Sequence, residues 1–200
     1  MDVNAVGAVV TAIGLIGVVV CLGVAHLLAD GPNPVRDPVS RYGITPRFRR
    51  LYAGAGESAA AAAIGAILVL VGRVGEGLTL TIVFLVIFAA ARAIIPLVPM
   101  DAPGARVTVV GRFHNVLAFA AFASITVAAF VAGGPLHDAG WTESAAWSTV
   151  FGVIMAVGSA GVLVSRGVPF LHRNFGAVER VIYLGFILWF GMIVMLGLGR

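Results

Sequence analysis

Charge is scarce in this chain. Only 11% of its 200 residues are charged, against roughly 25% in an ordinary soluble domain. Hydrophobic residues make up 60% and the mean hydropathy is +1.05. No soluble core of this length hides so much apolar surface, which excludes a water-soluble globule and leaves lipid as the solvent. Cysteine is nearly missing too. Cys21 stands alone in an apolar run, which excludes a disulfide framework and a thiolate metal cluster. Lysine is absent, so the net charge of +4 and the pI near 10.2 come from arginine. A basic pI can mark a nucleic-acid binder, but these arginines lie in short loops between apolar stretches, so no nucleic-acid partner is expected. The N-terminus lacks the basic first segment of a secretion signal, and its apolar run exceeds the usual length of one. It reads as a retained first span.

What is present is a series of apolar stretches. A spanning helix takes about 20 mostly apolar residues, and six stretches qualify, at roughly 5–29, 51–72, 78–98, 108–132, 145–165 and 177–198. The expected fold is therefore all-α, a single integral membrane bundle of six transmembrane helices with short loops. The first connection carries Pro32, Pro34, Pro38 and Pro46, which bar a continuous helix. The fourth, from Gly133 to about Ser144, is mildly acidic and without arginine.

The arginines sort by loop. Arg36, Arg41, Arg47, Arg49 and Arg50 lie in or beside the first, Arg106 and Arg112 at the third, and Arg166 and Arg173 in the fifth. The even loops and the tails carry only Arg73 and Arg200. The positive-inside rule then makes the odd loops cytoplasmic and puts both termini on the non-cytoplasmic side. The Arg47–Arg50 cluster also attracts anionic lipid.

Small residues recur every fourth position at Gly54, Ser58 and Ala62, and again at Gly152, Ala156 and Ala160. That spacing lets backbones approach in lipid. Bundle packing accounts for it first, and a homo-oligomer face is the alternative.

The less common polar groups follow the arginine-rich side. Glu57 and Arg92 each lie about six residues, or about 9 Å, inside their spans. A charge at a span's centre costs roughly 2.5–3.5 kcal/mol, so the two are expected to pair. Pro96 removes the helix bond to the Arg92 carbonyl and should open the third helix there. The pair is either structural or the lining of a cavity, and as a gate or proton relay it would serve a small transporter. His26, His114 and His172 share this side with Asp101 and Ser40. Three imidazoles and a carboxylate make a possible zinc set, although no close metal-site spacing occurs. His26 and His114 would also suit axial haem ligation. Asp101-Ala102-Pro103-Gly104 reads equally well as a turn. Asn174 is placed to cap the last span, with Glu179 in its early turns.

Four motifs carry a resemblance: Ser40-Arg41-Tyr42-Gly43, Pro99-Met100-Asp101, Gly111-Arg112-Phe113-His114-Asn115 and Gly176-Ala177-Val178-Glu179-Arg180. In this order, on six spans, the chain resembles a prokaryotic membrane family catalogued as domain of unknown function 998. The resemblance covers essentially the whole chain and implies a multi-pass protein of a prokaryotic plasma membrane. It marks Ser40, Gly43, Asp101, His114, Glu179 and Arg180 as signature positions, and Met100 departs from the small polar residue expected there. It supplies no activity.

Residues and resemblance together point to a polar, cationic site at the cytoplasmic leaflet that binds or modifies a lipid headgroup or another anion. Arg41, Arg112 and Arg180 are the expected anion contacts, with Arg92, Glu57 and His172 as further ligand-binding candidates. Asp101, His114 and Glu179 are the acid–base candidates. Ser40 is a nucleophile only if His114 reaches it. A non-catalytic accessory subunit of a membrane complex is the remaining alternative.

Overall fold

Long apolar runs have one stable form in lipid, the α-helix, because it satisfies its own backbone. The computed structural model describes residues 2–28 and 30–199. Its helices are α1 (Val3–Leu27), α2 (Arg41–Ile44), α3 (Arg49–Arg73), α4 (Thr79–Ile94), α5 (Val109–Asp138), α6 (Thr142–Val164), α7 (Pro169–Arg173) and α8 (Phe175–Gly197). Among the described residues there is no strand. Six helices, with α4 extended through Leu97, are long and apolar enough to cross a membrane, so the all-α multi-pass fold holds. Ala29 at the end of the first expected span and Arg200 in the tail lie outside the described residues.

The six long helices form a closed ring in the order α1, α3, α4, α5, α6, α8, with α8 also packing across on α3. Burial follows lipid logic. The inward face of α3 is mostly alanine, with Ala55, Ala59, Ala62, Ala63 and Ala66 buried, while Val9, Ile13, Ile16 and Val20 of α1 point outward. Small residues set the α1–α3 distance. A Cβ built on Gly14 would lie 2.5 Å from the Ser58 carbonyl oxygen and 2.6 Å from the Ala62 amide nitrogen. Ser58 and Ala62 therefore pack inside the bundle. In α6 the stripe is different from the one expected. Gly152 abuts the Phe130 ring of α5, but Ala160 is exposed. Gly158 and Gly161 meet Ile182 and Val178 of α8 instead.

Pro96 acts as its chemistry requires. The α-helix gives way to a 3-10 turn at Ile95–Leu97, and the Arg92 carbonyl lies against Gly56, where an added Cβ would come within 2.7 Å of it. Two local expectations fail. The fourth connection does not begin at Gly133, because α5 runs on to Asp138 through Pro135. Leu136 is fully buried, and the end closes by a Trp141 N–H to Leu136 carbonyl bond of 2.8 Å, with Gly140 at φ +86°. Asn174 does not cap α8 with its side chain. Its amide donates back to the Phe170 carbonyl at 2.9 Å.

Candidate functional site

The first, third and fifth connections meet at one end of the bundle. The first folds onto the start of α8. Asn33 Oδ1 accepts from the amides of Val35 and Arg36, and the Asp37 carboxylate accepts from the Asn33 amide and pairs with Arg41. The Ala177 amide donates to the Val35 carbonyl at 2.9 Å. Buried Glu179 takes the Val39 N–H on Oε2 at 2.7 Å. Tyr42 is fully buried, donates to the Pro32 carbonyl at 3.1 Å, and has its phenol pushed above its ordinary range by burial. Gly43 leaves room for Tyr52, whose ring would stand 2.7 Å from a Cβ there. Ser40 Oγ donates to the Met100 sulfur at 3.1 Å, so the unusual methionine holds the signature serine.

Arg180 is committed to structure. Its Nη1 bonds the Asp37 and Gly176 carbonyls at 3.1 and 2.9 Å, and its Nε and Nη2 reach His26 Nε2 at 3.2 and 2.9 Å. A guanidinium only donates, so His26 presents a lone pair there. Asp101 accepts from the Thr108 amide at 3.0 Å and its hydroxyl at 2.7 Å. Those bonds hold its carboxyl below the ordinary range. Thr108 in turn caps α5 by accepting from the Gly111 amide at 3.0 Å.

His114 sits one turn into α5, only 2% exposed. Its Nδ1 lies 2.6 Å from the Val98 carbonyl. A carbonyl only accepts, so Nδ1 carries the proton and, in the neutral ring, Nε2 carries the lone pair. Among the described residues, that Nε2 is buried without a partner.

His114 and Glu179 line a common cavity of about 490 Å³ between α5, α6 and α8. Ser40, Asn115, Ser159, Ser165, Arg166 and His172 complete its polar lining, and Phe119, Phe122, Val162, Leu163 and Phe175 are among its apolar walls. Phe119 and Leu163 are 60% and 65% exposed, on the lipid-facing side of the bundle. The cavity is thus a groove, with buried polar groups at His114, Glu179 and Ser165, exposed polar groups at Asn115, Arg166 and His172, and exposed apolar walls toward the bilayer.

Of the residues singled out from sequence, the structure brings Ser40, His114, Glu179 and His172 into this groove. Asp101, Arg41, Arg112, Arg180, His26, Arg92 and Glu57 do not line it. Arg112 points outward, and Arg41 and Arg180 are held by loop and backbone, which removes the expected arginine cradle. The Glu57–Arg92 pair does not form. Glu57 is exposed, whereas Arg92 is 3% exposed and donates to the Tyr183 hydroxyl at 3.1 Å. Two helices at equal depth need not face each other. No hydrogen bond joins His114 to Ser40 among the described residues, so Ser40 is not an activated nucleophile in this arrangement. Among those residues, His26, His114, His172 and Asp101 also form no group able to hold a metal, since Asp101 is bound to Thr108 and His26 to Arg180. Axial haem ligation would likewise have to displace Arg180 from His26. The sequence does not single out Ser159, Ser165, Arg166 or Tyr183 as site residues. The signal for Tyr183 was available, because it lies four residues after Glu179 on the same face of α8.

Fold and groove together define a multi-pass membrane protein built as a six-helix ring with a lateral polar recess between α5, α6 and α8. The chain belongs to the family described as Protein of unknown function (DUF998), whose sequence model matches residues 11–196. No curated protein and no solved structure matches the chain.

Proposed function

We propose that this protein binds a membrane amphiphile in the α5–α6–α8 groove. The carrying observation is the groove's polarity gradient: the unpartnered His114 Nε2 at one end and exposed Phe119 and Leu163 at the other. A headgroup and an acyl chain match those two ends. A wholly water-soluble ligand would leave the aromatic wall without use. Arg166 and His172, both exposed at the polar end, favour an anionic lipid. The arginine distribution supports the cytoplasmic leaflet of a prokaryotic plasma membrane, with both termini outside. A cysteine at position 36 in a Cys21→Ala background is then expected to resist an impermeant thiol reagent in intact cells. Labelling from outside would reverse the orientation.

A transporter reading finds less support. At the opposite face Trp189 Nε1 donates to Ser148 Oγ at 2.7 Å, and Ser148 donates to the Ala129 carbonyl at 2.6 Å. These polar groups are used up in helix packing, and Glu57 and Arg92 form no gate.

The groove is tested with phosphatidylglycerol carrying a diazirine in its acyl chain, in phosphatidylcholine nanodiscs. Adducts at Phe119 and Leu163 are expected to saturate at low mole fraction, while those at Ile13 and Ile16 of α1 rise in proportion to the probe. If both sets rise together, the groove holds only annular lipid and the reading fails.

A further inference from the structure

The chemistry of the buried end goes beyond binding an amphiphile, because it offers acceptors. His114 Nε2 presents a lone pair, since Nδ1 gives its proton to Val98. Glu179 accepts from Val39 on Oε2 and, among the described residues, makes no hydrogen bond through its other oxygen. The Ser40 and Ser165 hydroxyls spend their protons on Met100 and the Val162 carbonyl, leaving lone pairs toward any occupant. The donors Arg166 and His172 are exposed, nearer the surface than His114 or Glu179. Ser159 Oγ, buried without a partner among the described residues, can donate or accept, but at His114 Nε2 and Glu179 a fully ionised phosphate would meet lone pair against lone pair.

We infer that the groove selects a phospholipid whose headgroup carries hydroxyls beyond its phosphate, with the phosphate near Arg166 and the hydroxyls donating to His114 Nε2 and Glu179. This rests on the reading that the groove holds an amphiphile. A hydroxyl fits better than an ammonium. Glu179 already lies within electrostatic reach of Arg92 and Arg180, so a neutral donor suffices.

The test is competition against groove adduct formation by the diazirine phosphatidylglycerol. The unlabelled competitors are phosphatidylglycerol, phosphatidic acid and phosphatidylethanolamine, in the same nanodiscs. Phosphatidylglycerol is expected to compete about fivefold or more better than phosphatidic acid, the worth of one buried hydrogen bond. His114→Asn keeps a donor for the Val98 carbonyl but removes the acceptor at Nε2. Glu179→Gln keeps an acceptor for Val39. Each is expected to lower the preference about fivefold while Phe119 and Leu163 still react. Equal competition by phosphatidic acid would show that phosphate alone is read. Stronger competition by phosphatidylethanolamine would replace hydroxyl by ammonium. A preference intact in both variants would place recognition elsewhere. Each of these overturns the headgroup assignment with groove binding intact, whereas unsaturable adducts overturn groove binding itself. The wild-type ranking decides the matter even if a variant does not fold.

Discussion

Gly65→Ala is expected to destabilise the bundle by about 3 kcal/mol or more, at or beyond the upper end of overpacking costs. The added methyl would lie 2.5 Å from the Thr11 amide nitrogen, 2.6 Å from its hydroxyl and 2.7 Å from the Gly7 carbonyl oxygen. Two of these three atoms are backbone, and the hydroxyl is fixed by its own 2.8 Å bond to the Gly7 carbonyl. No rotamer change relieves the clash, so α1 must move away from α3 along its length. In lipid this is costly in a particular way. Helices associate there through close packing rather than through the hydrophobic effect, and separating the pair forfeits the contacts that hold it. Gly191→Ala is the control, because nothing lies within 4 Å of its Cβ position. There the same methyl should stabilise, by up to about 1 kcal/mol of helix propensity. The thermal unfolding midpoint in detergent reads both. Equal midpoints for Gly65→Ala and wild type would mean that α1 and α3 are not in backbone contact.

The contrast between those two glycines shows why part of this molecule was legible in sequence and part was not. Spans are read from composition, and composition is unambiguous here. Convergence of Ser40, His114, His172 and Glu179 followed from alternating passage, which brings the odd connections to one end whatever the packing. Azimuth was another matter. In a soluble helix the apolar stripe marks the inward face. In α3, alanine and glycine occur on every side, so nothing marked Glu57 as outward, and depth alone suggested a partner it does not have. Arg92 finds Tyr183, 91 positions further on, through a ring order that no loop length reveals. Motif residues were likewise divided by packing: Asp101 and Arg180 belong to loop and cap structure, Glu179 to the groove. The two roles use the same chemistry, and only the partner tells them apart.

Glu179 joins the groove to the charge buried behind it, and removing it is the second large effect expected. Glu179→Ala leaves the Val39 N–H, on a residue 1% exposed, without an acceptor, at about 1–3 kcal/mol. It also strips the counter-charge from Arg92 and Arg180, with which Glu179 interacts electrostatically. An uncompensated buried charge at Arg92 adds to that loss. Arg92 is the more exposed to this change in energy, if not in area. Among the described residues it makes a single side-chain hydrogen bond, to Tyr183, whose ring lies 5.5 Å from its guanidinium carbon, and its Nε and Nη2 are buried without partners. A double-mutant cycle separates charge from packing. Arg92→Met alone should cost about 2 kcal/mol or more, because Glu179 loses a cation with which it interacts electrostatically. In a Glu179→Gln background, which keeps the Val39 acceptor and removes the charge, the same substitution should be close to neutral. The coupling should then be about 2 kcal/mol or more, well beyond the ~0.5 kcal/mol within which independent sites add. Additive losses would mean that Arg92 is held by its tyrosine alone. In that case a ligand reaching Glu179 would have no electrostatic route to the centre of the bundle.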